Sequence, residues 1–193
     1  MVWIITSGDE AEAIQDLKNT SDRAAAIVAA AILETRLEAI LRRVLLDHKK
    51  NADRTIREEM FRTSGPLGSF SAKINLTFML GICSAATWTD LDYIREIRNA
   101  FAHRVEAQKF ETIRIKDLCM NLRSFVKHIF PYGTKAEDAT QDINPKMFER
   151  DLPAQLADPR KRYILCVTFY IATFSGIPVV DGSQQSPLCR QLC

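Results

Sequence analysis

Hydrophobic positions recur along this chain with the spacing of helices. From Arg23 to Leu46 there is no glycine or proline. At about 100° per residue, Ile27, Ala30, Leu33, Leu37, Leu41, Val44 and Leu45 gather on one side of that stretch, which predicts a core face. Ser21 or Asp22 stands where a helix cap is expected. Lys49 to Arg62 is charged and predicted helical in its second half, with Ile56, Met60 and Phe61 as apolar contacts. Gly65-Pro66-Leu67-Gly68-Ser69 interrupts the pattern as a loop. Ser69 then caps a helix in which Ile74, Phe78 and Ile82 repeat every four residues. Thr89 followed by Asp92 resembles a capping box, so a new helix is predicted there, running through Leu91, Ile94, Arg98 and Phe101. Ile115, Leu118, Leu122, Phe125, Val126 and Ile129 form one amphipathic stripe, ended by Pro131-Tyr132-Gly133.

Thr134 to Pro159 is polar and punctuated by Pro145, Pro153 and Pro159, with one short helix expected from Lys146 onward. Arg160 to Ser175 reads as a helix apolar almost all round, expected to complete the core rather than to meet a copy of itself. The acidic Ser7 to Leu17 segment has room for one short helix. The tail after Gly176 has the loose composition of an unfolded end. With no useful β-alternation, the expectation is an all-α multi-helix bundle: one helical domain over residues 1–175 and a short disordered C-terminal tail over 176–193.

Composition narrows the function. At 47% hydrophobic and 26% charged, the chain is a folded globular protein. A net charge of only +2 argues against coating nucleic acid by bulk electrostatics. The five cysteines, Cys83, Cys119, Cys166, Cys189 and Cys193, lack paired CxxC spacing. They are read as reduced thiols of a cytoplasmic protein, with no metal site and no cofactor. Val2 to Ile5 is too short for a signal-peptide core. Tyr163 to Phe174 offers about 12 apolar residues where a membrane span needs about 20, so no membrane association is expected. The Gly65 to Ala72 loop lacks the GxxxxGK[ST] pattern of a nucleotide phosphate loop.

The candidate chemistry lies between Leu91 and His103. On a helical wheel Arg98 shares a sector of about 80° with Leu91, Ile94, Phe101 and Val105, which turns it toward the core. A buried arginine needs a carboxylate. Glu34, central on the apolar face of the first long helix, is the predicted partner, with Glu38 and Asp22 as lesser candidates. Arg95, Asn99 and His103 share a second, polar face. Such a strip beside a semi-buried arginine suits an anion or phosphate, since arginine binds phosphate bidentately and histidine moves a proton near neutral pH. Lys73 and Ser69 would complete an anion pocket if the Gly65 loop reaches the strip. The bland alternative is a solvated face plus one structural ion pair. Arg98 and His103 stand about 140° apart on an ideal helix, so a shared site needs a long side chain, a distorted helix end or a second protomer.

Two resemblances sharpen the choice. Arg98-Asn99-Ala100-Phe101-Ala102-His103 resembles the Arg, polar residue, three residues, His signature of the HEPN superfamily of small helical bundles. Many HEPN proteins are metal-independent endoribonucleases that dimerise. That likeness implies His103 as acid-base group, Arg98 as stabiliser of the phosphorane and Asn99 as orienting residue, acting on RNA in a toxin or defence setting. A longer resemblance covers Asp22 to Phe130. Asp22-Arg23-Ala24-Ala25-Ala26-Ile27-Val28, Gly65-Pro66-Leu67-Gly68-Ser69-Phe70-Ser71-Ala72-Lys73-Ile74 and Asp92 through His103 are similar, in order and spacing, to the mannitol operon repressor family. That resemblance implies an all-helical transcriptional regulator that lacks an evident DNA-reading helix and works through a protein partner, as a homodimer. No helix-turn-helix with a basic second helix can be drawn here either. The regulator is the first expectation and the ribonuclease the alternative, and the two decide whether the chain is an enzyme.

Overall fold

A computed structural model describes residues 16–17, 19–45, 51–103, 108–129 and 152–175. Every regular element among them is an α-helix. The longest, α1 (Asp22–Val44), is capped by the Ser21 hydroxyl, which accepts the Ala24 N–H at 3.3 Å. Asp22 in the first turn and Arg42 and Arg43 in the last complement the helix dipole. Its buried face is Ala25, Ala26, Ala29, Ala30, Leu33, Leu37, Ile40 and Leu41. Four small alanines at its N-terminal half let neighbouring helices pack closely, so the core face is rotated toward them. Val44, expected in the core, is exposed instead.

Helix α2 (Asn51–Phe61) ends on buried Phe61, whose ring lies 4.3 Å beneath the Arg42 guanidinium. The chain then folds back so tightly that a Cβ at Gly65 or Gly68 would overlap the carbonyls of Glu59 and Arg62, respectively. Those two glycines are therefore required by close backbone approach. Ser69 caps α3 (Phe70–Met79) by accepting the Ala72 N–H at 3.1 Å. The helix stops at Gly81, which has φ +68. Gly81 N–H and Ile82 N–H bond back to the carbonyls of Phe78 and Thr77, the pattern of a Schellman stop. Ile74 and Ile82 are buried as the four-residue repeat predicts, but Phe78 faces out.

Two expected boundaries are corrected. The next helix, α4 (Ala85–His103), starts a turn earlier than Thr89. Ser84 is its cap, accepting the Thr87 N–H at 3.2 Å, while Thr89 lies inside the helix and donates to the Ala85 carbonyl. The single stripe expected from Ile115 to Ile129 is two helices, α5 (Ile113–Met120) and α6 (Ser124–Ile129). The break at residues 121–123 is imposed by other parts of the fold. The Asp90 carboxylate of α4 accepts N–H bonds from Arg123 (3.1 Å), Ser124 (2.9 Å) and Phe125 (3.4 Å). From the far side, Arg162 donates to the Leu122 carbonyl through Nε and Nη2, at 3.2 and 2.6 Å. Periodicity along one segment carries no trace of either group.

After α7 (Leu152–Ala157), Asp158 accepts the Lys161 N–H and opens α8 (Pro159–Ser175), with proline at the first helical position. Helix α8 completes the core beside α1. Tyr163, Cys166, Val167, Tyr170, Ile171 and Phe174 are buried, and the Tyr163 hydroxyl donates to the Ala26 carbonyl at 2.8 Å. Phe110 stacks obliquely between Phe101 and Tyr163, at 5.0 and 5.3 Å, joining α4 to α8. Arg160 reaches back to the carbonyls of Leu17 and Thr20. Among the described residues no helix is long and apolar enough to cross a membrane, and no group of His, Cys, Asp and Glu is placed to hold a metal. The tail from 176 to 193, the helix expected from Lys146 and most of the Ser7 to Leu17 segment lie outside the described residues.

Candidate functional site

Arg98 donates through Nη2 to Glu34 Oε2 at 3.2 Å. This contact is one rung of a longer ladder. The other oxygen of Glu34 accepts from Lys73 Nζ at 2.9 Å, and the same ammonium meets Glu38 Oε2 at 2.9 Å. Glu38 Oε1 then accepts from Arg42 Nε at 2.8 Å, and Arg42 Nη1 reaches Glu58 at 3.0 Å. Cations and carboxylates alternate from α4 through α1 and α3 to α2: Arg98, Glu34, Lys73, Glu38, Arg42, Glu58. Helical spacing explains the order, because Glu34, Glu38 and Arg42 stand four apart on one face of α1.

The ladder is most shielded at Lys73, whose side chain is 6% exposed, and opens toward Glu58 at 54%. Burial pushes Glu38 up and Lys73 down, but the hydrogen bonds and charges between them outweigh it. Glu38 is left below the ordinary carboxylate range and Lys73 above the ordinary ammonium range. With three charges of each sign, the ladder ties helices together and exerts no net pull on an anion.

The residues assigned to an anion pocket by sequence take these positions. Lys73 sits between two carboxylates, and the Ser69 hydroxyl caps α3. Arg98 is half-buried and its Nη1 donates to Asn99 Oδ1 at 3.0 Å. Arg95 is paired with Asp92 at 2.7 Å, and His103 is exposed at the last position of α4. Of the lesser candidates for Arg98, Glu38 serves Lys73 and Arg42. Asp22 accepts the Phe110 N–H and pairs with Arg160.

A second polar centre escaped the sequence reading. Asp90 is 2% exposed and, beyond its three backbone N–H bonds, accepts the Tyr170 hydroxyl at 2.7 Å. Burial raises its carboxyl above the ordinary range, against the opposing pull of Tyr170 and the N–H groups. The signal was present: Thr87, Asp90, Leu91 and Ile94 follow the i, i+3, i+4, i+7 spacing of a core face. Lys73 likewise falls between Phe70, Ile74 and Thr77 on the buried face of α3.

Fold and site together define an all-α bundle whose prominent buried and half-buried charges are paired within the molecule. The chain belongs to the mannitol repressor family, whose sequence profile matches residues 10–159. Among solved structures it is similar to a chain of the X-ray structure of the MtlR-HPr complex from Escherichia coli, at 18% identity and a TM-score of 0.60. The match covers 88% of this chain and 99% of that one, which establishes a shared fold. No curated protein matches the sequence. The comparisons lend no support to the HEPN ribonuclease alternative.

Proposed function

We infer that the chain is a mannitol-repressor-type regulator of transcription in the cytoplasm, acting by binding a partner protein of the HPr type rather than by reading DNA. The observation that carries this is membership of the repressor family over residues 10–159, joined to a fold shared with a chain of the MtlR-HPr complex. The pairing of Arg42, Lys73, Arg95, Arg98 and Arg160 with carboxylates supports it, because DNA recognition needs unneutralised cations facing phosphates. The partner-binding surface is the outer strip of α4, where Arg95, Asn99 and His103 flank Arg98. Lys73 stands behind it through Glu34, and Ser69 anchors the start of α3. No observation favours catalysis by Arg98 and His103, since Arg98 is held by Glu34 and Asn99.

Titration calorimetry of the full chain against a purified HPr-type protein tests this reading. Saturable binding is expected, weakened at least about tenfold in an Asn99→Ala, His103→Ala variant, as loss of two polar interface contacts of about 1 kcal/mol each implies. Absence of binding up to about 100 μM, near the weak end of specific association, or sequence-specific binding of operator DNA by the chain alone, would overturn it.

A further inference from the structure

The tip of the α3–α4 hairpin differs in kind from the rest of the surface. From Ile74 to Thr89 no residue is charged, in a chain of which 26% is. Yet Phe78, Met79 and Leu80 are exposed to 38%, 77% and 42%. Beside them lies an open groove of about 510 Å³, lined by Asn75, Phe78, Met79, Ala85, Trp88 and Thr89. Two of its polar donors are already satisfied within the chain. Trp88 Nε1 donates to Asn75 Oδ1 at 2.9 Å, and the Thr89 hydroxyl donates to the Ala85 carbonyl at 3.0 Å. Water can therefore leave the groove without orphaning either donor.

We propose that this tip is the contact surface between two copies of the chain, with Met79 of each copy entering the groove of the other. A projecting side chain and a groove lie on one surface, as an isologous contact requires, in which residue i meets j and j meets i. Methionine, unbranched and polarisable, suits insertion into an irregular apolar groove. Around a two-fold axis any charge meets its own like at close range, so an uncharged run is what self-association selects. A different protein imposes no such restriction, because opposite charges can be placed across the contact. An anionic membrane surface calls for flanking lysines and arginines, and Ile74 to Thr89 contains none. This surface is separate from the α4 strip given to the partner protein, and its test does not involve that partner.

Sedimentation of the full chain over a range of concentrations is the experiment. Wild type is expected to approach twice the 21.9 kDa of one chain. Met79→Glu is expected to raise the dimer dissociation constant at least about 100-fold, since like charges facing each other across an interface cost several kcal/mol. Because Met79 is so exposed, far-UV circular dichroism and the thermal midpoint of Met79→Glu should match wild type. Mixing Met79→Glu with Met79→Lys should restore a dimer. A wild type that stays at monomer mass, including one that gains mass only when another protein or lipid vesicles are added, overturns the proposal. So does a Met79→Glu chain that dimerises unchanged, or a mixture of the two variants that stays monomeric.

Discussion

Two centres in this bundle hold charge in opposite ways. Asp90 is a single buried carboxylate whose direct partners are neutral: three backbone N–H groups and the Tyr170 hydroxyl. The ladder from Arg98 to Glu58 consists entirely of charged groups, each facing an opposite one, with exposure growing toward one end. The first arrangement fixes a backbone turn that no other group is placed to fix. The second distributes its work over several contacts, so loss of one leaves the others. Asp90 should therefore be intolerant of substitution and the ladder graded.

The sharpest test of this contrast is Asp90→Ala. Three N–H groups at the start of α6 and the Tyr170 hydroxyl lose their acceptor in a water-poor interior. We expect a loss of about 4 kcal/mol in denaturant unfolding, in the range for breaking a buried charged network. A loss below about 1 kcal/mol, the scale of one ordinary hydrogen bond, would show that the turn holds without Asp90. Glu34→Ala should cost less, about 2 kcal/mol, between the values for exposed and buried pairs. Lys73 keeps Glu38 after that change and Arg98 keeps Asn99. If Glu34→Ala cost as much as Asp90→Ala, the ladder would not be redundant.

The same distinction governs what was legible in the sequence. The Glu34 position follows from one helical wheel, since a carboxylate amid Ile27, Leu37 and Leu41 needs a cation. Helix existence was equally readable, because apolar spacing is local. The failures are non-local. Nothing between Ile115 and Ile129 announces that Asp90 and Arg162, from two other helices, will interrupt the stripe at Leu122. Thr89 looked like a cap because its spacing to Asp92 fits, whereas Ser84 won by lying directly after the Gly81 stop. Lys73 was assigned to an anion because a lysine beside a glycine-rich loop is usually solvated. Its place between Phe70 and Ile74 on α3 gave the contrary signal.

Acidity and alkalinity separate the two ends of the ladder's pH range. Glu38 has a folded pKa below its ordinary value of 4.5, so its contribution is present above that value and is lost as pH falls through the folded one. Lys73 has a folded pKa above its ordinary 10.5, so its contribution is complete below 10.5 and is lost as pH rises through the folded one. Urea midpoints of wild type and Glu38→Gln, compared across pH, should differ by a constant amount at neutral pH and converge only on acidification below 4.5. Convergence beginning well above that value would mean that Glu38 is not held in its ionised form by Lys73 and Arg42.

The smallest effect belongs to Glu58, and it tests the grading itself. At 54% exposure Glu58 holds Arg42 in near-bulk water, where an ion pair is worth about 0.5 kcal/mol and is screened by salt. Arg42 does not depend on it, because Nε is bonded to Glu38 and the guanidinium lies over Phe61. Glu58→Ala should therefore lower stability by about 0.5 kcal/mol or less, with the difference fading at about 1 M salt, where the Debye length is about 3 Å. A larger loss that persists in salt would place Glu58 among the buried rungs and make α2 an integral wall of the bundle. A small, salt-sensitive loss would leave Phe61 and the Gly65 turn as the features that anchor α2.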